Sequence, residues 1–120
     1  MTLLRSLTDK IFASGQQVNI IVKAPKATPA GEKLYLAGAC PQLGRWSPTG
    51  RALRQTDVGV WEARLRVPVD QPLEFKVTRG SWDRVERHAD GSDTGNHCVD
   101  PAMLEGQSVL HTVEGWSDQS

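Results

Sequence analysis

The chain alternates apolar and polar positions over much of its length, with a period of two. The alternation is clearest over 60–67, where Val60, Glu62, Arg64 and Arg66 oppose Trp61, Ala63, Leu65 and Val67. Successive side chains of a strand point to opposite faces, so this pattern predicts a half-buried strand. Similar runs predict strands over 17–24 (QVNIIVKA), 33–38 (KLYLAG), 73–79 (LEFKVTR) and 107–115 (QSVLHTVEG). Clusters rich in Gly, Pro and polar residues separate them: APKATPAGE, CPQLGRWSPTGR, PVDQP and HADGSDTGNH. Regularly spaced strands with no helical pattern after residue 15 predict an all-β sandwich and not a βαβ fold. Ahead of them, Leu3, Leu4, Leu7, Ile11 and Phe12 have the spacing of a short amphipathic helix or ordered arm, ended by Gly15. The chain thus divides into an arm at 1–15, a sandwich domain at 16–117 and a tail at 118–120.

A length of 120 residues fits one domain with a single core. Lys plus Arg and Asp plus Glu both total 14, so the formal net charge is zero. That balance excludes the basic excess expected of a nucleic-acid binder and gives no reason to expect an anionic membrane surface as partner. No apolar run approaches the ~20 residues of a membrane-spanning helix. The first residues lack the apolar stretch of a secretory signal, because Thr8, Asp9 and Lys10 interrupt it. The expected location is therefore the cytoplasm. There, Cys40 and Cys98 read as two free, partly buried thiols, with a disulfide as the alternative.

The residues give little support to an enzyme. His88, His97 and His111 have no partner at HExxH or CxxC spacing, and His97 and Cys98 are adjacent, so they would face opposite sides of a strand. The stretch Asp90–Asn96 is rich in oxygen ligands but lacks the closing Glu of a calcium loop, and its Asp and Gly residues suit a turn. No catalytic group, metal site or cofactor is expected.

The four tryptophans say more. Trp61 and Trp116 fall on alternating strands and read as core, whereas Trp46 and Trp82 lie in polar loop sequence. An indole face is costly to leave in water unless something covers it. A sugar ring can be that cover, being apolar on its faces and polar around its rim. The alternative is that these rings fold back to cap the sandwich.

Several runs in order along the chain carry a resemblance. They are Gly31-Glu-Lys-Leu-Tyr-Leu-Ala-Gly38, Pro41-Gln-Leu-Gly-Arg-Trp46, Trp61 opening a strand, Pro72-Leu-Glu-Phe-Lys76, then Val85-Glu86, Asn96 and a last strand ending in Trp116. Together, over about 17–116, they resemble the family 20 carbohydrate-binding module, the starch-binding domain. The stretch Lys76 to Trp82, with Val85-Glu86 and Asn96, looks most like the variant found ahead of some bacterial esterase-type hydrolases. The resemblance implies an immunoglobulin-like antiparallel two-sheet sandwich of seven to eight strands, and non-catalytic binding of α-1,4-glucans such as starch, glycogen or maltodextrin. It also implies, as partners, the glucan and a separate carbohydrate-active enzyme subunit.

The family's first sugar site uses two stacking tryptophans, a lysine and an asparagine. The resemblance puts Trp46, Lys76 and Asn96 on three of these. The second tryptophan is Arg87 here, with Trp82 five residues earlier as the other group able to fill the space; an Arg can also lie flat on a sugar. Glu86 reads as a structural partner of a nearby Arg. The tyrosines of the family's second site are missing, since Ala30 stands at one position and 47–60 holds none. These departures keep a second function open, a protein–protein adaptor that has lost the sugar site.

Overall fold

The computed structural model describes residues 15–104 and 107–119, so the arm expected at 1–15 lies outside the described residues except for Gly15, which opens the first strand. Ten strand segments follow in order: β1 (Gly15–Lys23), β2 (Tyr35–Gly38), β3 (Arg51–Ala52), β4 (Arg54–Asp57), β5 (Val60–Pro68), β6 (Leu73–Thr78), β7 (Glu86–Arg87), β8 (His97–Val99), β9 (Ser108–Thr112) and β10 (Gly115–Trp116). Three short 3-10 turns interrupt them, at Pro41–Leu43, Trp82–Arg84 and Pro101–Met103. The five longer predicted strands all form. The five added segments run from two to four residues. β4 is exposed throughout, so it has no buried face to leave an alternating pattern.

The strands build one sheet in the order β4-β5-β1-β9, a second in the order β3-β2-β6-β8, and a two-stranded ribbon β10-β7. Neighbours are antiparallel except β1 and β9, which run parallel from Asn19↔Ser108 to Lys23↔Thr112. A parallel neighbour needs a long connection, and here most of the domain lies between the two strands. β1 pairs with β5 along its whole length, Gly15↔Pro68 to Lys23↔Val60. This register sends Val18, Ile20 and Val22 inward beside Leu65, Ala63 and Trp61.

The opposite sheet supplies Leu36, Leu73, Phe75 and Val77 to the same core. Burying such a side chain contributes about 1.5–3 kcal/mol. Trp61 and Trp116 are both buried, as their strand positions predict. The Trp116 Nε1–H donates to the Thr28 hydroxyl at 3.0 Å, so its one polar atom stays satisfied in the core. Beside it lies the buried Arg79, whose guanidinium donates to Glu32 at 2.9 Å and to Asp118 at 2.6 Å. Gln119 also donates, to the Ala27 carbonyl. Residues 118 and 119 are thus tied to the sandwich by side-chain bonds.

Candidate functional site

Trp46 sits at the end of a tight loop. Cys40 leads into the 3-10 turn, Leu43 plugs the core, and Gly44 takes a φ of 76°. A Cβ at Gly44 would meet the Gly50 Cα at 2.5 Å, so the loop closes on itself where only glycine fits. Arg45 and Trp46 then both lie in the left-handed region, with φ of 50° and 67°. That conformation costs non-glycine residues roughly 1–2 kcal/mol each. The Trp46 N–H holds it by donating to the Gly38 carbonyl at 2.7 Å, at the end of β2. The indole is half-buried.

β2 and β6 carry the next residue. Lys76 lies opposite Ala37, one step along from Gly38↔Phe75. Its Nζ donates to Asp93 Oδ1 at 2.7 Å, and that oxygen also accepts the Gly95 N–H at 2.8 Å. These bonds, that of Lys76 foremost, hold the Asp93 carboxyl at about 2. Asp93 bridges to Arg87 on β7, which is half-buried with its Nε lacking a hydrogen-bond partner. Asn96 is exposed and directly precedes His97, the residue paired with Phe75 across β6 and β8. Trp46, Lys76, Arg87 and Asn96 are therefore linked through one set of adjoining strands. Trp82, 42% exposed, stands in the turn beyond Thr78, the far end of β6 from Phe75. The loop after Trp46 reaches that end as well, because the Thr78 hydroxyl donates to the Pro48 carbonyl.

The loop at 90–96 is a turn, as expected. Asp90 accepts from the Ser92 N–H and hydroxyl, and Gly91 and Gly95 take positive φ. Cys40 and Cys98 are both free thiols, Cys40 half-buried and Cys98 exposed. A groove of about 730 Å³ lies elsewhere, with Lys23, Pro25, Ala30, Gln55, Val58 and Trp61 among its walls. None of the sugar-site candidates lines it, and neither does Tyr35, the chain's single tyrosine.

One cluster went unread in the sequence. Glu86 is 1% exposed and, among the described residues, pairs with two histidines and with no Arg, contrary to expectation. Its Oε1 faces His97 Nε2 and accepts the Thr94 hydroxyl; its Oε2 faces His111 Nε2 at 3.0 Å and accepts the Val77 N–H. Burial pushes the carboxyl up, but the hydrogen bonds and charge of His111 and His97 more than offset this and hold it at about 2. The two imidazole centroids are 4.0 Å apart, and Phe75 packs against both rings. The three residues come from three strands far apart in the chain, so no local spacing could reveal them.

The family model for the starch binding domain matches residues 17–97. The chain belongs to the starch-binding domain family. It is 34% identical over 95% of its length to an alpha-amylase of Niallia circulans, and 27% identical over 81% to an amylopullulanase of Thermoanaerobacterium thermosulfurigenes. It spans 9% and 5% of those two proteins. Among solved structures it is similar to the family 20 module of a maltotetraose-forming amylase from Pseudomonas saccharophila, with a TM-score of 0.53 and 26% identity. The match covers 81% of this chain and 99% of that one. A gamma-CGTase from alkalophilic Bacillus clarkii matches with a TM-score of 0.59 and 26% identity, over 82% of this chain and 15% of that one. A starch-binding domain is a non-catalytic carbohydrate-binding module, and the all-β sandwich seen here is its fold.

Proposed function

We propose that this starch-binding domain holds α-1,4-glucans, whether starch, glycogen or maltodextrin, on the face that carries Trp46, Lys76, Arg87 and Asn96, and performs no reaction on them. The observation that carries the reading is the backbone of Trp46. Two consecutive residues with side chains are kept in a costly left-handed conformation, and the second keeps its side chain partly accessible. Strain of this kind gathers at ligand sites, where the surrounding structure holds it in place.

In this reading Trp46 is the stacking platform. The Lys76 ammonium keeps donors beyond the one that Asp93 uses, and these reach sugar hydroxyls. Asn96 can donate and accept at the rim. Arg87 offers a flat cation where the family has its second ring. Trp82, in the turn after β6, extends the apolar surface for a longer chain. The run from Lys76 to Trp82 with Val85-Glu86 and Asn96 supports kinship with the variant that precedes esterase-type hydrolases. By that kinship the module delivers a carbohydrate-active enzyme to its substrate, as a neighbouring domain or a separate subunit. A shallow single-platform site implies a Kd of ~10 µM to 1 mM.

Co-sedimentation with insoluble starch tests this. The wild-type protein is expected in the pellet and the Trp46→Ala protein in the supernatant. If a folded wild-type protein stays in the supernatant, the protein–protein adaptor becomes the better account.

A further inference from the structure

We infer that Glu86, His97 and His111 form a binding site for one divalent transition-metal ion of the zinc type, set behind the sugar face. Each residue offers one ligand atom, and these atoms lie within 4.8 Å of one another. Two imidazole nitrogens and one carboxylate oxygen are a donor set that zinc sites use, with a fourth position left for water. Four-coordinate zinc places its ligand atoms ~3.3 Å apart, so modest rotations of the three side chains close the site. A small cavity of about 40 Å³ adjoins them, walled by the three residues with Thr94, Thr112 and Val113 among others. It has room for an ion and a water.

The surroundings support ligation. The Val77 N–H and the Thr94 hydroxyl orient the Glu86 carboxylate from behind, as the outer partners of metal ligands do. Phe75 backs both rings with apolar surface. His97 and His111 stay partly exposed, with side chains at 23% and 16%, which leaves an entry path. A buried ionised carboxylate needs compensating charge or hydrogen bonds, and an ion here supplies it directly. Binding requires each imidazole to carry its hydrogen on Nδ1, so that Nε2 offers its lone pair. Neutral imidazole does this by changing tautomer, with no net proton released.

The three ligands stand on β7, β8 and β9, which belong to three different sheets of the fold. The ion would therefore staple these sheets together. Through Arg87 and Asn96, the sequence neighbours of Glu86 and His97, it would also steady the sugar face.

The experiment uses the full chain with Cys40→Ser and Cys98→Ser, so that thiols do not compete, after chelator treatment. Zn2+ is titrated by calorimetry and by thermal melting, with Mg2+ as control. The expected result is one ion per chain and a rise in Tm of roughly 10 °C at a hundredfold excess over Kd. Mg2+ should give no response. His97→Gln and His111→Gln keep an N–H to donate to Glu86 but cannot ligate, and each should weaken binding roughly 10-fold or more. A measurement on the unsubstituted histidines guards against variants that fail to fold. In it, the NMR signals of the His97 and His111 imidazoles should move with Zn2+ while those of His88 stay. A folded protein that gives no heat and no Tm shift would overturn the site. So would equal binding by the Gln variants, or movement of His88 alone.

Discussion

Two faces of the same strands differ sharply. On β6, β7 and the start of β8 the outer residues are Lys76, Arg87 and Asn96, and their immediate neighbours are Phe75, Glu86 and His97. Phe75 and Glu86 are each 1% exposed, whereas Lys76 and Arg87 are half-buried and Asn96 is exposed. A period of two sends adjacent residues to opposite sides, so one stretch of backbone builds an inward cluster around the buried Glu86 and an outward polar face. Both oxygens of Glu86 make internal bonds. The outer face keeps polar groups with capacity to spare, such as the Lys76 ammonium, which makes one side-chain bond, to Asp93. That contrast, more than concavity, separates the proposed sugar platform from structural support. The groove of about 730 Å³ is the roomier feature, yet it exposes no tyrosine and its Trp61 is only 8% accessible.

Substituting neighbours one residue apart breaks the comparison most directly. Glu86→Ala removes the acceptor of a buried backbone N–H, a hydroxyl and two imidazoles, and should cost about 3 kcal/mol of stability. Arg87→Ala, on the outer side, should stay within about 1 kcal/mol. Urea unfolding of the two proteins decides it, and equal losses would mean that the two faces do not divide support from recognition.

Arg87→Trp sharpens the picture in the other direction. It restores a ring where the family carries its second stacking tryptophan, and should tighten glucan binding by roughly threefold to tenfold, since an aromatic contact contributes about 1 kcal/mol. Calorimetry with maltoheptaose reads this, and unchanged or weaker binding would show that position 87 does not face the sugar.

The smallest effect is a pH dependence. Lys76 holds the Asp93 carboxyl at about 2, below its usual 3.8. A lowered folded value means that the pair's contribution is whole above pH ~4 and is lost as the pH falls through ~2. Asp93 is well exposed, so the effect is modest. The stability gap between wild type and Asp93→Asn should narrow across that window. A gap that stays constant with pH would contradict the lowered Asp93 value.

The sequence made the frame legible because the long strands alternate cleanly. Val18, Ile20, Val22, Trp61, Ala63, Leu65 and Val67 all fall inward as their period requires. The short segments were hidden for want of length or of a buried face, as at β3 and β4, where every residue is exposed. Order along the chain carried the resemblance that assigns Trp46, Lys76 and Asn96 to the proposed sugar site. The Glu86 cluster was not readable. Its histidines lie 11 and 25 positions from the carboxylate, and only the packing of three sheets brings them together. Glu86 therefore looked like an arginine's partner, and His97 looked like one half of an uninformative dipeptide.

Titration of maltoheptaose into the wild-type and Trp46→Ala proteins, followed by tryptophan fluorescence, tests the central claim most directly. The account predicts a saturable change in the wild type with a Kd of ~10 µM to 1 mM, and a loss of about tenfold or more in the folded mutant. A wild-type protein that shows no response at millimolar sugar, or a mutant that binds equally well, would contradict it.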